Sequence, residues 1–82
     1  MGNITSVDIE WRVINIVADQ LDKDAAGITR DTRFAEDLTT DSVTLMEVLV
    51  EIENDLSVTI PDEDAMMMRS IGNLIDYIHR RM

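Results

Sequence analysis

Residues 41–56 read DSVTLMEVLVEIENDL, and the way this stretch folds decides the architecture. Leu45, Leu49, Ile52 and Leu56 recur at spacings of four, three and four, the period of one helix face rather than of a strand. Asp41 supplies an N-cap acceptor, with Ser42 in the first turn. The predicted helix therefore runs from Ser42 to Leu56. Val43, Met46 and Val50 form a second, shorter apolar row, flanked by Glu47, Glu51 and Asn54. Such a row is either a broad core-facing surface or a docking face whose acids steer a basic partner.

Upstream, a helix is predicted from Ser6 to Asp22, capped by Thr5 or Ser6, with Asp8 and Glu10 at its positive end. Asp8, Arg12, Asn15, Asp19 and Asp22 share a polar face, while Ile9, Val13, Ile16 and Val17 occupy one apolar flank. Val7, Trp11, Ile14 and Ala18 occupy the other. A chain this small can hardly bury both flanks, so Trp11 is either a core edge or part of an exposed contact patch. A long connection, Lys23 to Thr40, follows, with Phe34 and Leu38 expected to pin it to the core. Connections of this length in small domains are often functional.

Downstream, Pro61 and the acids Asp62, Glu63 and Asp64 favour the start of a short helix, expected over Asp62 to Met68. Three consecutive methionines, Met66 to Met68, cannot all face one core, and an exposed methionine suits adaptable contacts. Ser70 caps a last helix that runs to Arg81, with Ile71, Leu74, Ile75 and Ile78 as its buried stripe and Arg80 and Arg81 at its negative end. Gly72 weakens it slightly. The expected architecture is all-α: a single domain over residues 1–82, built as a four-helix bundle of three longer helices and one short third helix, with a long first loop.

Composition narrows the function. The 82 residues carry seventeen acids against seven Lys and Arg, for a net charge of −10. Such a chain repels nucleic acid and anionic membranes and attracts basic protein surfaces. Between Phe34 and Met68 there are ten acids and no Lys or Arg, so the middle of the chain presents a field of one sign. There is no cysteine, which excludes disulfides and thiolate metal sites and fits a reducing compartment. No apolar run has membrane-spanning length and no signal-peptide pattern occurs, so a cytoplasmic monomer is expected. MGNITS at the start matches a myristoylation pattern, but the second, basic anchor that one acyl chain needs is missing.

Ser42 raises the chemical question. A serine nucleophile needs a base within reach. The one histidine, His79, sits among arginines near the end of the chain, and DSV is not a nucleophile elbow. Asp37 and Asp41 do not start a calcium loop, because glycine is missing at the turn and Val48 stands at the twelfth position. The remaining role is a serine that is modified. At a helix start, a phosphate on its oxygen meets the positive helix end.

Several separated motifs now converge. DQL at Asp19–Leu21, FAEDL at Phe34–Leu38, DSV at Asp41–Val43, TIPDEDA at Thr59–Ala65 and IDYI at Ile75–Ile78 resemble the discrete, type II acyl carrier proteins of fatty-acid synthesis, in order and spacing, over nearly the whole chain. The resemblance implies a non-catalytic protein with 4′-phosphopantetheine on Ser42, delivered from coenzyme A by a phosphopantetheinyl transferase, whose terminal thiol holds acyl groups as thioesters. It further implies that Asp41, Glu47 and Glu53 meet basic patches on acyl-transfer, ketosynthase or ligase enzymes. Val43 and Met46 would be the apolar contacts beside them, with Val50 extending the row. Phe34, Ile52, Ile60, Ala65 and Met68 would line an acyl pocket.

The chain departs from that family's pattern at Thr39 (usually glycine), Val43 (usually leucine) and Thr44 (often an acid). It also departs at Met66 and Met67, where charges are common. These changes leave the modification site intact and alter the surface that partners read. They point to a specialised lipid or polyketide pathway rather than housekeeping synthesis. An aminoacyl or peptidyl carrier of the same fold and an unmodified acidic interaction module are the alternatives.

Overall fold

In the computed structural model, which describes residues 6–81, four α-helices follow one another: α1 (Ser6–Leu21), α2 (Ser42–Leu56), α3 (Asp62–Ala65) and α4 (Ile71–Arg81). A single 3₁₀ turn, Ala25–Gly27, interrupts the first loop. The fold is all-α as expected, and no strand occurs among the described residues, where Arg33 and Ser70 form one isolated antiparallel bridge. Thr5, the alternative cap of α1, and the MGNIT stretch of the myristoylation pattern lie outside the described residues.

α1 packs against both α2 and α4. It contributes Ile9, Val13, Val17 and Ala18 to the core, while Ile14 and Ile16 are half-buried against it. The other flank is split: Ala18 is buried and Ile14 half-buried, while Val7 is 74% exposed and Trp11 64%. α2 buries Val48, Leu49, Ile52 and Leu56. Val48 was not part of the predicted stripe, and Leu45, which was, is only half-buried. The buried face of α2 is therefore rotated slightly toward Val48. α4 buries Ile71, Leu74, Ile75 and Ile78, the full predicted stripe.

Helix ends follow from local chemistry. α1 stops at Leu21 because Asp22 turns left-handed (φ 55°). The Lys23 N–H then reaches back to the Ala18 carbonyl at 2.8 Å, which satisfies a carbonyl the helix would leave open. Ser57 (φ 56°) ends α2 in the same way, with the Val58 N–H on the Glu53 carbonyl. α3 is shorter than predicted. The Met67 and Met68 N–H groups bond three residues back, to Asp64 and Ala65, so the chain tightens after Ala65. That tightening turns Met68 into the core and leaves Met66 and Met67 83% and 72% exposed.

The long first loop is ordered by backbone bonds to the start of α4. The Ile71 N–H donates to the Thr32 carbonyl at 2.9 Å and the Gly72 N–H to Arg30 at 2.9 Å, while the Phe34 N–H donates to Arg69 at 3.0 Å. Ser70 Oγ accepts the Asn73 N–H at 3.1 Å, and Asn73 Oδ1 accepts the Ser70 N–H at 3.3 Å, a reciprocal cap. The loop thus supplies acceptors for helix donors that would otherwise be open. Arg30 adds side-chain ties to Asp76 at 2.8 Å and Glu10 at 3.4 Å.

Candidate functional site

The site is built around the junction of this loop with α2. Asp41 is extended and its Oδ1 accepts the Thr44 N–H at 2.8 Å, so it caps α2 as expected. That bond, followed by one from the Thr44 hydroxyl, holds the Asp41 carboxyl below the usual aspartate range. Ser42 is the first residue of the helix, exposed, and its hydroxyl makes no hydrogen bond to another described residue.

Ser42 opens onto a cleft of ≈ 400 Å³ whose floor is Phe34, Leu45 and Met68, and whose walls are Arg33, Ala35, Glu36, Thr40, Asp41 and Arg69. The floor is apolar because Phe34 and Met68 are themselves core residues, 2% and 7% exposed. Of the five positions singled out for an acyl pocket, these two line the cleft. Ile52, Ile60 and Ala65 belong to the same continuous core without lining it. On the other side of Ser42, along α2, lies a shallow apolar groove formed by Val43, Met46, Glu47 and Val50. Val43 is 67% exposed and Val50 49%. The second apolar row of α2 is thus exposed at Val43 and Val50, while Met46 between them is half-buried against the core.

Glu53 stands apart from that groove. Its Oε2 accepts the Ile60 N–H at 2.7 Å, so its carboxylate is occupied in holding the α2–α3 connection. His79 lies on α4, in a separate groove with Glu10, Arg30, Asp76 and Arg80, and the fold does not bring it to Ser42. No group of three metal-ligating side chains occurs among the described residues. The arrangement offers an accessible hydroxyl at a helix start with apolar surface on either side, and no histidine or lysine lines its cleft among the described residues.

A family described as a phosphopantetheine attachment site matches residues 11–78. Acyl carrier proteins of Rickettsia typhi and Rickettsia prowazekii are each 42% identical over 77 residues, covering 94% of this chain and 90% of theirs. The solved structure of the acyl carrier protein from Enterococcus faecalis superposes with a TM-score of 0.80 at 29% identity, covering 95% of this chain and 99% of that one. The chain belongs to the acyl carrier protein family.

This carrier is therefore a member of a non-catalytic family whose covalent cofactor is 4′-phosphopantetheine and whose members work with biosynthetic enzymes. The site fits such a group: a serine hydroxyl without internal partners stands at the positive end of α2, and an apolar cleft begins beside it. No helix of the described residues is long and apolar enough to cross a membrane.

Sequence reasoning did not single out Arg33, Ala35, Glu36, Thr40 and Arg69 as walls of the cleft. A signal existed, because Arg33 and Arg69 are chain neighbours of Phe34 and Met68. The missing piece was the pairing of the loop with the start of α4, which sets Arg33 opposite Ser70. Thr39, where the family's pattern has glycine, is left-handed at φ 56°, the conformation that favours glycine.

Proposed function

We propose that Ser42 is the attachment point of 4′-phosphopantetheine and that the chain shuttles acyl groups between partner enzymes of fatty-acid, specialised lipid or polyketide synthesis. The terminal thiol of the bound arm supplies the chemistry, holding each acyl group as a thioester. The single observation that carries the reading is the placement of Ser42, exposed and unbonded at the first position of α2 and capped from behind by Asp41. Asp41 fixes the start of α2 by accepting the Thr44 N–H. Phe34, Leu45 and Met68 offer apolar cover to what extends from Ser42, and Ile52, Ile60 and Ala65 are the core against which that cover would widen for a longer chain.

Val43 and Val50 supply exposed apolar contact with the half-buried Met46 between them, and Glu47 at their edge attracts a basic partner surface. The transferase that loads the arm and the enzymes that exchange its cargo would both read this face. The test is intact mass after incubation with coenzyme A and a promiscuous transferase. We expect a gain of one phosphopantetheine, abolished by Ser42→Ala. An unchanged wild-type mass rejects the proposal and favours an unmodified interaction module.

A specialised pathway is favoured by Met66 and Met67, both strongly exposed at positions where the resemblance leads one to expect charge. Apolar, flexible side chains there suit a partner other than the fatty-acid synthase set. The modified protein is accordingly expected to serve a standard fatty-acid elongation system poorly. Equal efficiency with a housekeeping carrier in that assay rejects specialisation, and the mass of the species isolated from its native cell identifies the cargo, aminoacyl or acyl.

A further inference from the structure

Two arginines line the Ser42 cleft, and they differ in commitment. Arg33 has Glu36 at 3.9 Å and Asp37 at 3.8 Å from its guanidinium, and Asp37 also accepts its backbone N–H at 2.8 Å. Arg69 makes no ion pair among the described residues, and it is exposed. Its backbone is nevertheless fixed from both sides. Its carbonyl accepts the Phe34 N–H at 3.0 Å, and its own N–H donates to Asn73 Oδ1 at 3.1 Å. Arg69 lines both the Ser42 cleft and the neighbouring groove of Asp64, Asn73, Asp76 and Tyr77, so its fixed backbone leaves an uncommitted cation at the border of the two.

A phosphodiester on Ser42 adds a permanent negative charge to a cleft already walled by Asp41 and Glu36, on a chain of net charge −10. Like charges at this spacing oppose it. The start of α2 offsets part of that cost, but one of its N–H groups is already taken by Asp41. A guanidinium suits the remainder, since its planar fork matches two phosphate oxygens at once.

We propose that Arg69 is a positioning residue for the arm. Its guanidinium takes the phosphodiester on Ser42 and biases the arm toward the cleft rather than the solvent. This rests on the reading of Ser42 as the attachment point. Arg69 acts on the phosphate alone, which every cargo shares, so its effect is independent of what the arm carries.

The experiment compares the ¹⁵N-labelled protein before and after modification, with intact mass recorded on each sample. On modification, the Arg69 Nε–Hε resonance is expected to shift while that of Arg80 stays in place, and the shift should shrink as salt is raised. In modified Arg69→Gln, the ³¹P resonance of the phosphodiester should narrow toward that of a mobile group. The docked fraction should fall about two- to fivefold, the size expected of an exposed ion pair. Arg69→Lys should recover part of the loss, and Arg80→Gln, outside the cleft, should leave the wild-type signal in place. Full modification by mass with no Arg69 shift, or with identical ³¹P behaviour in wild type and Arg69→Gln, overturns the proposal and leaves Ser42 in its role. Failure of the wild type to gain mass overturns the reading beneath it. If Arg69→Gln melts early, the wild-type Arg69 shift alone decides.

Discussion

Thr39 holds a backbone conformation that its side chain resists. At φ 56° its β-branched side chain crowds the following carbonyl, which costs about 1–2 kcal/mol relative to a residue in an allowed region. Thr39→Gly removes that strain but gives the unfolded chain more freedom, a loss of about 0.5–1 kcal/mol. The net expectation is a stabilisation of about 0.5–1 kcal/mol, read as a melting temperature raised by several degrees. An unchanged or lower melting temperature would show that the threonine makes a compensating contact. The position lies three residues before Ser42, so strain sits in the segment that carries the site. Two residues further on, Asp41 links the site to pH. Its folded pKa is lowered, so its contribution to stability is complete above the unfolded value and is lost as pH falls through the folded one. Asparagine caps a helix without titrating. The difference in melting temperature between wild type and Asp41→Asn should therefore be flat near neutrality and shrink below about pH 4. A difference that persists unchanged to about pH 2 would show that the Asp41 charge contributes nothing to the cap.

At the scale of elements, Gly72 shows how a helix and a loop constrain one another. Alanine is about 1 kcal/mol better than glycine in a helix interior. Here, however, an added Cβ would stand 3.0 Å from the Arg30 carbonyl that accepts the Gly72 N–H. Gly72→Ala is accordingly expected to be no more stable than wild type in denaturant unfolding, and a full 1 kcal/mol gain (about the propensity difference) would show that the loop yields freely. The sequence shows this glycine only as a flaw in α4, because a backbone-to-backbone contact leaves no mark in side-chain pattern. The same limit separates what was legible from what was not. The bounds of α2 and α4 could be read because apolar spacing and caps at Asp41 and Ser70 agree. α3 was read three residues too long because methionine is a good helix former and nothing in Met66–Met68 announces a tighter turn. At the site, Ser42, Asp41 and the groove of Val43, Met46, Glu47 and Val50 came from helical spacing and resemblance. Arg69 did not, since it joins the cleft only through the pairing of the loop with α4. Glu53 carries the same charge as Glu47 in the sequence, and only the fold reveals that its carboxylate is turned to the Ile60 N–H.

For the whole molecule, charge is the dominant long-range property. Seven bases are set against seventeen acids, and several of the bases are spent internally: Arg12 on Asp55, Arg30 on Glu10 and Asp76, Arg33 on Glu36 and Asp37, and Arg81 on Asp64. Glu47 has no such partner among the described residues and borders the apolar groove. Glu47→Lys should slow modification by the transferase by about tenfold at low salt, with helix content by circular dichroism unchanged. The deficit should narrow as salt is added. Equal rates at low salt would place Glu47 outside the encounter surface. The attachment of the first loop to α4 has a separate consequence. The leading amides of a helix ordinarily exchange with solvent first, because no turn precedes them. Ile71 and Gly72 instead donate to carbonyls some forty positions earlier in the chain. Their deuterium uptake should therefore lag behind that of an ordinary helix start and report the lifting of the loop. The two amides would then be a built-in gauge of how often the cleft beside Ser42 loosens, readable in the apo and the loaded protein alike.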